Sequence, residues 1–339
     1  MNQKLFTRNF TFLILGQVSS LIGNYTLKFA LSMYVLEQTG SASIFAGLLA
    51  LSLLPTILLS PFGGILADRA DRRNIMVALD TLSGLSVLIA AFILPLGQEI
   101  IVIGALLVVL SILGAFESPT VQACVPQMLS GDNIIKGNAV VNQVASIASL
   151  ITPFLGSIFY TAFGIQPVFY AAAACFFITA LLECFIRLTY NNPGYKMKIS
   201  TVIRGDLSES MRFLRREQPN ILKLLLLAAL VSLFVAGTAV VGFPYLVRTV
   251  LGLSAEHYGM AESAMGIASV LGSLLVAVLS AKLHPRYMSI AFAAVGFCLI
   301  PCGIAFLLPA GAFVRYIILL LLFCACQLGC SFFSTYAIS

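Results

Sequence analysis

The sequence predicts an all-α, polytopic membrane protein, and three observations lead there. The 339 residues are 60% hydrophobic and only 9% charged, where a soluble domain carries about 25% charge. The apolar residues fall into ten runs, each long enough, at about 20 residues, to cross about 30 Å of hydrocarbon. The charges gather between those runs, where loop charge orients a chain in a bilayer. The net charge of +6 therefore reads as an orientation signal and not as a nucleic-acid surface.

Lys4 and Arg8 precede a first run from about Phe10 to Leu36. A cleaved signal has a core of only about 7–15 residues, so this run is retained as a helix. Glu37 to Ser43 reads as a short polar turn. The second run, from about Ile44 to Leu66, contains Pro55 and Pro61, which predict kinks. A polar interruption then spans Gly63 to Ile75 and carries Asp68, Arg69, Asp71, Arg72 and Arg73. Gly63 and Gly64 at its start allow two backbones to approach closely. The third run covers about Ile75 to Leu94, and Pro95 to Glu99 is the next turn. The fourth covers about Ile100 to Ala123 and leads to a polar segment at Ser130 to Asn133. The fifth spans about Ala139 to Phe163 and the sixth about Val168 to Leu188.

The character changes between Tyr190 and Gln218, which is polar and basic. Within it Ile203, Leu207, Met211 and Leu214 recur at helical spacing, as in an amphipathic helix lying on a membrane surface. Four more runs follow, from about Ile221 to Val247, Tyr258 to Leu283, Tyr287 to Leu308 and Phe313 to Tyr336. The expected domains are a six-helix bundle at residues 1–188, a linker at 189–220 and a four-helix bundle at 221–339.

Of the 19 Lys and Arg residues, only Arg248 and Arg315 fall on one side of this alternation. Lys28 lies inside the first run, and the others fall on the opposite side with the N-terminus and the linker. That asymmetry places the N-terminus and the linker in the cytoplasm, and the protein in the bacterial plasma membrane. All eight cysteines lie at or inside apolar runs and read as small packing residues. Cys326 and Cys330 share a helix face, but no metal site is expected.

The halves echo each other. Thr39-Gly40-Ser41-Ala42-Ser43 with Gly47 matches Leu251-Gly252-Leu253-Ser254-Ala255 with Gly259, and Leu113-Gly114 matches Leu328-Gly329. Parallel repeats of this kind relate the halves of many transporters. In this register the last run corresponds to the fourth, so two further helices are expected in a complete second half.

The basic interruption resembles the signature loop between helices 2 and 3 of the major facilitator superfamily, Gly-x-Leu-x-Asp-Arg-x-Gly-Arg-Arg. Gly64, Leu66, Asp68, Arg69, Arg72 and Arg73 stand at its positions, with Asp71 in place of the later glycine. Pro119 to Met128 with Gly137-Asn138-Ala139, Asp206 to Arg216, and Pro244 to Gly259 resemble the macrolide- and enterobactin-exporter-like branch. Thr152-Pro153-Phe154-Leu155-Gly156 is similar to the helix 5 element of antiporters, with Thr152 replacing its first glycine. The resemblance implies the major facilitator fold, with about ten of the usual 12 helices. It also implies monomeric, proton-coupled efflux of a small amphipathic compound of drug, macrolide or siderophore type, without a cofactor. Gly64, Asp68, Arg69, Arg72 and Arg73 would form a conformational gate, and Pro153 and Gly156 would belong to the helix 5 antiporter motif. The family partner of the gate is helix 11, which has no counterpart here, so a truncated, transport-inactive or partner-dependent chain is the alternative expectation. No nucleophile–base set, metal-ligand cluster or phosphate loop suggests an enzyme.

A charge at mid-membrane costs at least about 2.5–3.5 kcal/mol, so each one asks for a reason. Glu117, in the fourth run, is the leading candidate for exchanging protons or meeting a cationic substrate. Lys28 is the second, with snorkelling toward the outer interface as its plainer role. Depth along the helices argues against a direct Lys28–Glu117 pair. Asp80 is expected to pair with an arginine of the basic turn, and Glu183 and Glu262 to be interfacial. His257 and His284 are expected in loops. Gln17, Asn24, Tyr25, Gln143 and Gln327 are candidates for polar cavity contacts.

Overall fold

A computed structural model of the chain describes residues 5–188, 212–219, 237–279 and 311–338, together with residues 222, 223 and 226. Among these residues the regular structure is entirely helical. The expected ninth run, His284 and nearly all of the linker lie outside the described residues.

Helix α1 (Arg8–Thr39) starts where the Phe10 amide donates to Thr7 Oγ1 at 3.3 Å, an N-cap that satisfies an otherwise orphaned donor. It ends at Gly40, whose φ of 57° is left-handed. Glu37 thus belongs to the helix and not to the turn. Helix α2 (Ala42–Arg69) starts from the Ser41 cap and contains both prolines. Helix α3 (Arg72–Ile93) starts from Asp71, which accepts from the Arg73 amide at 3.1 Å and from Asn74 Nδ2 at 3.0 Å. The basic interruption is therefore almost wholly helical, with only Ala70 and Asp71 between the two helices. The residue that replaces the family glycine has become the cap.

Helices α4 (Glu99–Met128), α5 (Asp132–Phe163) and α6 (Ile165–Cys184) complete the first bundle. Both α4 and α5 extend farther than expected toward each other, because the polar Ser130 to Asn133 segment supplies a helix start. Helix α7 (Thr238–Val250) has turns of wider, i→i+5 bonding at both ends, as where the Leu251 amide donates to Leu246 O at 2.9 Å. Helices α8 (Ala255–Leu279) and α9 (Ala312–Ile338) follow. His257 sits in the first turn of α8 and not in a loop, tied to Ser254 Oγ through Nδ1 at 2.7 Å. Among the described residues seven helices are long and apolar enough to cross a membrane.

Helix α1 packs on α5 and α6, α3 on α4 and α6, and α2 on α4. The second half joins through α8, which packs on both α5 and α9. That contact depends on Gly259, where a Cβ would collide with Ser157 and the Pro153 carbonyl. Gly63 performs the same service between α2 and α4, against the Ala115 carbonyl. Of the two glycines in the basic motif, Gly63 makes the close approach, while nothing lies within 4 Å of a Cβ at Gly64.

Two apolar clusters hold the first bundle. The larger includes Leu27, Val87, Leu110 and Phe176 and reaches Phe243, Tyr258 and Phe323 of the second half. The smaller includes Phe10, Leu13, Met76, Val121 and Ile186, near the basic turn. Large apolar side chains such as Leu53, Ile57, Leu58, Phe92 and Ile101 remain on the surface, as expected where lipid is the solvent.

Candidate functional site

A cavity of about 380 Å³ opens between α1, α2, α4 and α5. Gln17, Ser20, Asn24, Tyr25 and Lys28 line it from α1, at the spacing of one helix face. Ser52 and Thr56 contribute from α2, Ser111, Glu117, Ser118 and Gln122 from α4, and Asn142 from α5. Thr56 and Ser111 meet at 2.7 Å between their hydroxyl oxygens. Leu21, Leu53, Leu107, Leu110, Val121 and Val141 supply apolar wall. The site is amphipathic and carries one acid and one base.

Lys28 lines this cavity. It feels the Glu117 charge, but the two form no ion pair. The register explains this: Glu117 Oε1 lies 3.5 Å from Ser20 Oγ, and Lys28 is eight residues farther along α1, about 12 Å at 1.5 Å per residue.

Asp80 departs from expectation. Among the described side chains it meets no arginine of the basic turn. Ser20 donates to its Oδ1 at 3.1 Å, and its carboxyl contacts Glu183. Arg72 instead reaches Ala67 O at 2.7 Å and Ala123 O at 3.0 Å, and Arg73 reaches Cys184 O at 2.6 Å. Those arginines tie the ends of α2, α4 and α6 together through backbone carbonyls, where a cation suits a helix C-terminus. Glu183 is not interfacial either, being 1% exposed beside the fully buried Asp80. Glu262 likewise turns inward, to the buried Tyr258.

Gln17, Asn24 and Tyr25 line the cavity. Gln143 does not: it is exposed, and its neighbours Val141, Asn142 and Ala145 face the cavity. Gln327 on α9 lies outside the cavity wall. Pro153 and Gly156 sit where α5 meets its neighbours, Pro153 against Gly259 of α8 and Gly156 against Thr26 and Phe29 of α1. The side chains of Asp68 and Arg69 lie outside the described residues. Cys326 and Cys330 are in hydrogen-bond contact, and among the described residues no group of three metal-ligating side chains forms.

Sequence reasoning missed a junction at the opposite end of the bundle. Glu37 forms an ion pair with Arg248 and accepts from Tyr160 OH, while Arg248 Nη1 donates to Leu253 O at 2.7 Å. The signal was partial, since Arg248 is one of two cations on its side, while Glu37, Glu99 and Glu256 are all acids on that side.

Seven helices long and apolar enough to cross a membrane, packed around a polar cavity inside an apolar exterior, define a polytopic helical membrane protein. The Major Facilitator Superfamily family model matches residues 13–339, and the chain belongs to that superfamily. It is 25% identical over 264 residues to macrolide efflux protein A of Streptococcus pyogenes, covering 77% of this chain and 64% of that protein. The chain thus spans less than two thirds of that relative's length. Among solved structures it is similar to a D-xylose-proton symporter, with a TM-score of 0.69 at 14% identity over 97% of this chain and 81% of that one. A bacterial homolog of the human lysosomal transporter Spinster, inward-facing and occupied, gives 0.69 at 18% identity over 97% and 73%. At these identities the structures support the fold alone.

Proposed function

We propose that the chain belongs to a secondary active transporter that exports a small amphipathic compound, with Glu117 as the group that couples export to protons. The observation that carries this reading is the cavity, where Glu117 and Lys28 stand among hydroxyl, amide and aliphatic side chains. A carboxyl at the wall of such a cavity can bind a proton or a substrate cation, and competition between the two couples their movements. The resemblance to macrolide efflux protein A supports a macrolide as one compound of this class.

In this reading the bundles at residues 1–188 and 221–339 rock about the cavity, joined by the 189–220 linker, in a monomer that needs no cofactor. Gly64, Asp68, Arg69, Arg72 and Arg73 act as the conformational gate at the cytoplasmic side, and Pro153 and Gly156 let α5 move against α1 and α8. The N-terminus and linker face the cytoplasm of a bacterium. Asp80 takes part behind Glu117 and not beside the arginines.

Inverted membrane vesicles from cells producing the protein test the assignment. With an imposed proton gradient, radiolabelled erythromycin should accumulate in wild-type vesicles, and Glu117→Gln should abolish accumulation at equal protein level. Undiminished accumulation in Glu117→Gln would remove Glu117 from the coupling step.

A further inference from the structure

Behind the cavity, four helices each contribute one polar group to a single layer: Ser20 from α1, Asp80 from α3, Glu117 from α4 and Glu183 from α6. On every one of them the layer falls between the two apolar clusters. Ser20 lies between Leu13 and Leu27, Asp80 between Met76 and Val87, Glu117 between Leu110 and Val121, and Glu183 between Phe176 and Ile186. Asp80, Glu183 and Ser20 are 0%, 1% and 2% exposed, so bulk water does not hydrate them and they must satisfy one another.

The hydrogen-bond inventory of these groups is unbalanced. A carboxylate only accepts, and a serine hydroxyl donates one proton. Ser20 Oγ is 3.1 Å from Asp80 Oδ1 and 3.5 Å from Glu117 Oε1, so it can donate to one carboxyl only while it accepts from the other. Asp80 and Glu183 are in side-chain contact, yet Asp80 Oδ2 and Glu183 Oε2 are buried without a donor. Two bare carboxylates cannot bond to each other; one proton between them supplies the missing donor. On the cavity side the mismatch is reversed. Gln17, 7% exposed and one turn from Ser20, lines the cavity with Nε2 unpartnered.

We propose that the Asp80–Glu183 pair is a proton-holding site, and that the Ser20 hydroxyl connects it to Glu117 at the cavity wall. The transfer balances. Glu117 gives its proton to Ser20 Oγ as Ser20 passes its own to Asp80 Oδ1, so one O–H bond forms for each that breaks. The net result is one proton moved from Glu117 to the buried pair, without a co-reactant. Other charged or titratable groups facing the layer are Lys28 of α1 on the Glu117 side, Cys184 of α6 beside Glu183, and Cys124 of α4 with the cap residue Asp71 and Arg72 of α3 toward the basic turn. The use of the held proton in transport rests on the proton-coupled reading above; its presence does not.

Infrared spectroscopy of the purified protein in lipid nanodiscs at neutral pH reads the protonated carboxyl directly, through its carbonyl stretch and the shift of that band in D₂O. The band should be present in wild type, survive Glu117→Gln, and be lost or displaced in Asp80→Asn and in Glu183→Gln. Ser20→Ala should keep the band but slow its exchange with D₂O by at least about tenfold, as expected for removal of a proton relay. If the carboxyl variants fail to fold, the wild-type band and the Ser20→Ala exchange rate decide. A wild type without the band, or a band indifferent to both Asp80→Asn and Glu183→Gln, overturns the site. An unchanged exchange rate in Ser20→Ala overturns the link. A normal band pattern with undiminished efflux in Glu117→Gln would leave the proton site standing and refute the coupling reading alone.

Discussion

Lys28 and Asp80 illustrate how much a single side chain's direction decides. Snorkelling was the plain expectation for Lys28, because a lysine stem can carry its ammonium several ångströms to water. Instead it lines the cavity inside the fold. In a variant lacking the native cysteines, Lys28→Cys should react with a charged methanethiosulfonate reagent, and erythromycin should slow the reaction. Failure to react would place position 28 against lipid. Asp80 is expected to meet an arginine of the basic turn because that turn is near in sequence. Seven residues separate Arg73 from Asp80, about 10 Å along a helix, and Arg72 and Arg73 are occupied by backbone carbonyls of α2, α4 and α6. Its actual partners, Ser20 and Glu183, lie 60 and 103 positions away, which no local pattern reveals.

Most spans were legible as elements, since 20-residue apolar runs have few other outcomes in a bilayer. Their ends were not. Asp71 became an N-cap, so the basic segment folded into two helices nearly in contact. Within α5 Asn142 lines the cavity and Gln143 does not, because each step along a helix turns the face by about 100°. Close contacts between helices were also hidden. Gly259→Leu should destabilise the protein by about 1–3 kcal/mol, the usual cost of forcing atoms into a packed site, seen as a lower thermal midpoint in detergent. Gly64→Ala, with nothing within 4 Å of its Cβ, should leave that midpoint unchanged. An equal midpoint for Gly259→Leu would mean that α5 and α8 are not held together at this point.

Across the whole molecule, the Glu37–Arg248 ion pair joins α1 to α7 and Tyr160 extends the junction to α5. It closes the end of the molecule opposite the basic turn. Exposed pairs contribute about 0–1 kcal/mol, enough to shift a balanced two-state equilibrium by up to about fivefold. Spin labels at Gln98 and Phe313, both exposed, should report a larger population of long distances in Glu37→Gln and Arg248→Gln. The charge-swapped Glu37→Arg/Arg248→Glu protein should return toward wild type. An unchanged distribution in both single variants would show that apolar packing alone closes this end.

Composition and periodicity by themselves determined a helical membrane protein with helices at these positions, because lipid leaves a backbone almost no alternative to the helix. The basic motif and the repeat determined its superfamily. Only the tertiary structure decided which polar groups meet. A run that is apolar on all sides carries little information about rotation about its axis, so the sequence could place Ser20, Asp80, Glu117 and Glu183 on four helices but not in one layer. Packing between two apolar clusters set that rotation, and with it the buried carboxyl pair behind the cavity.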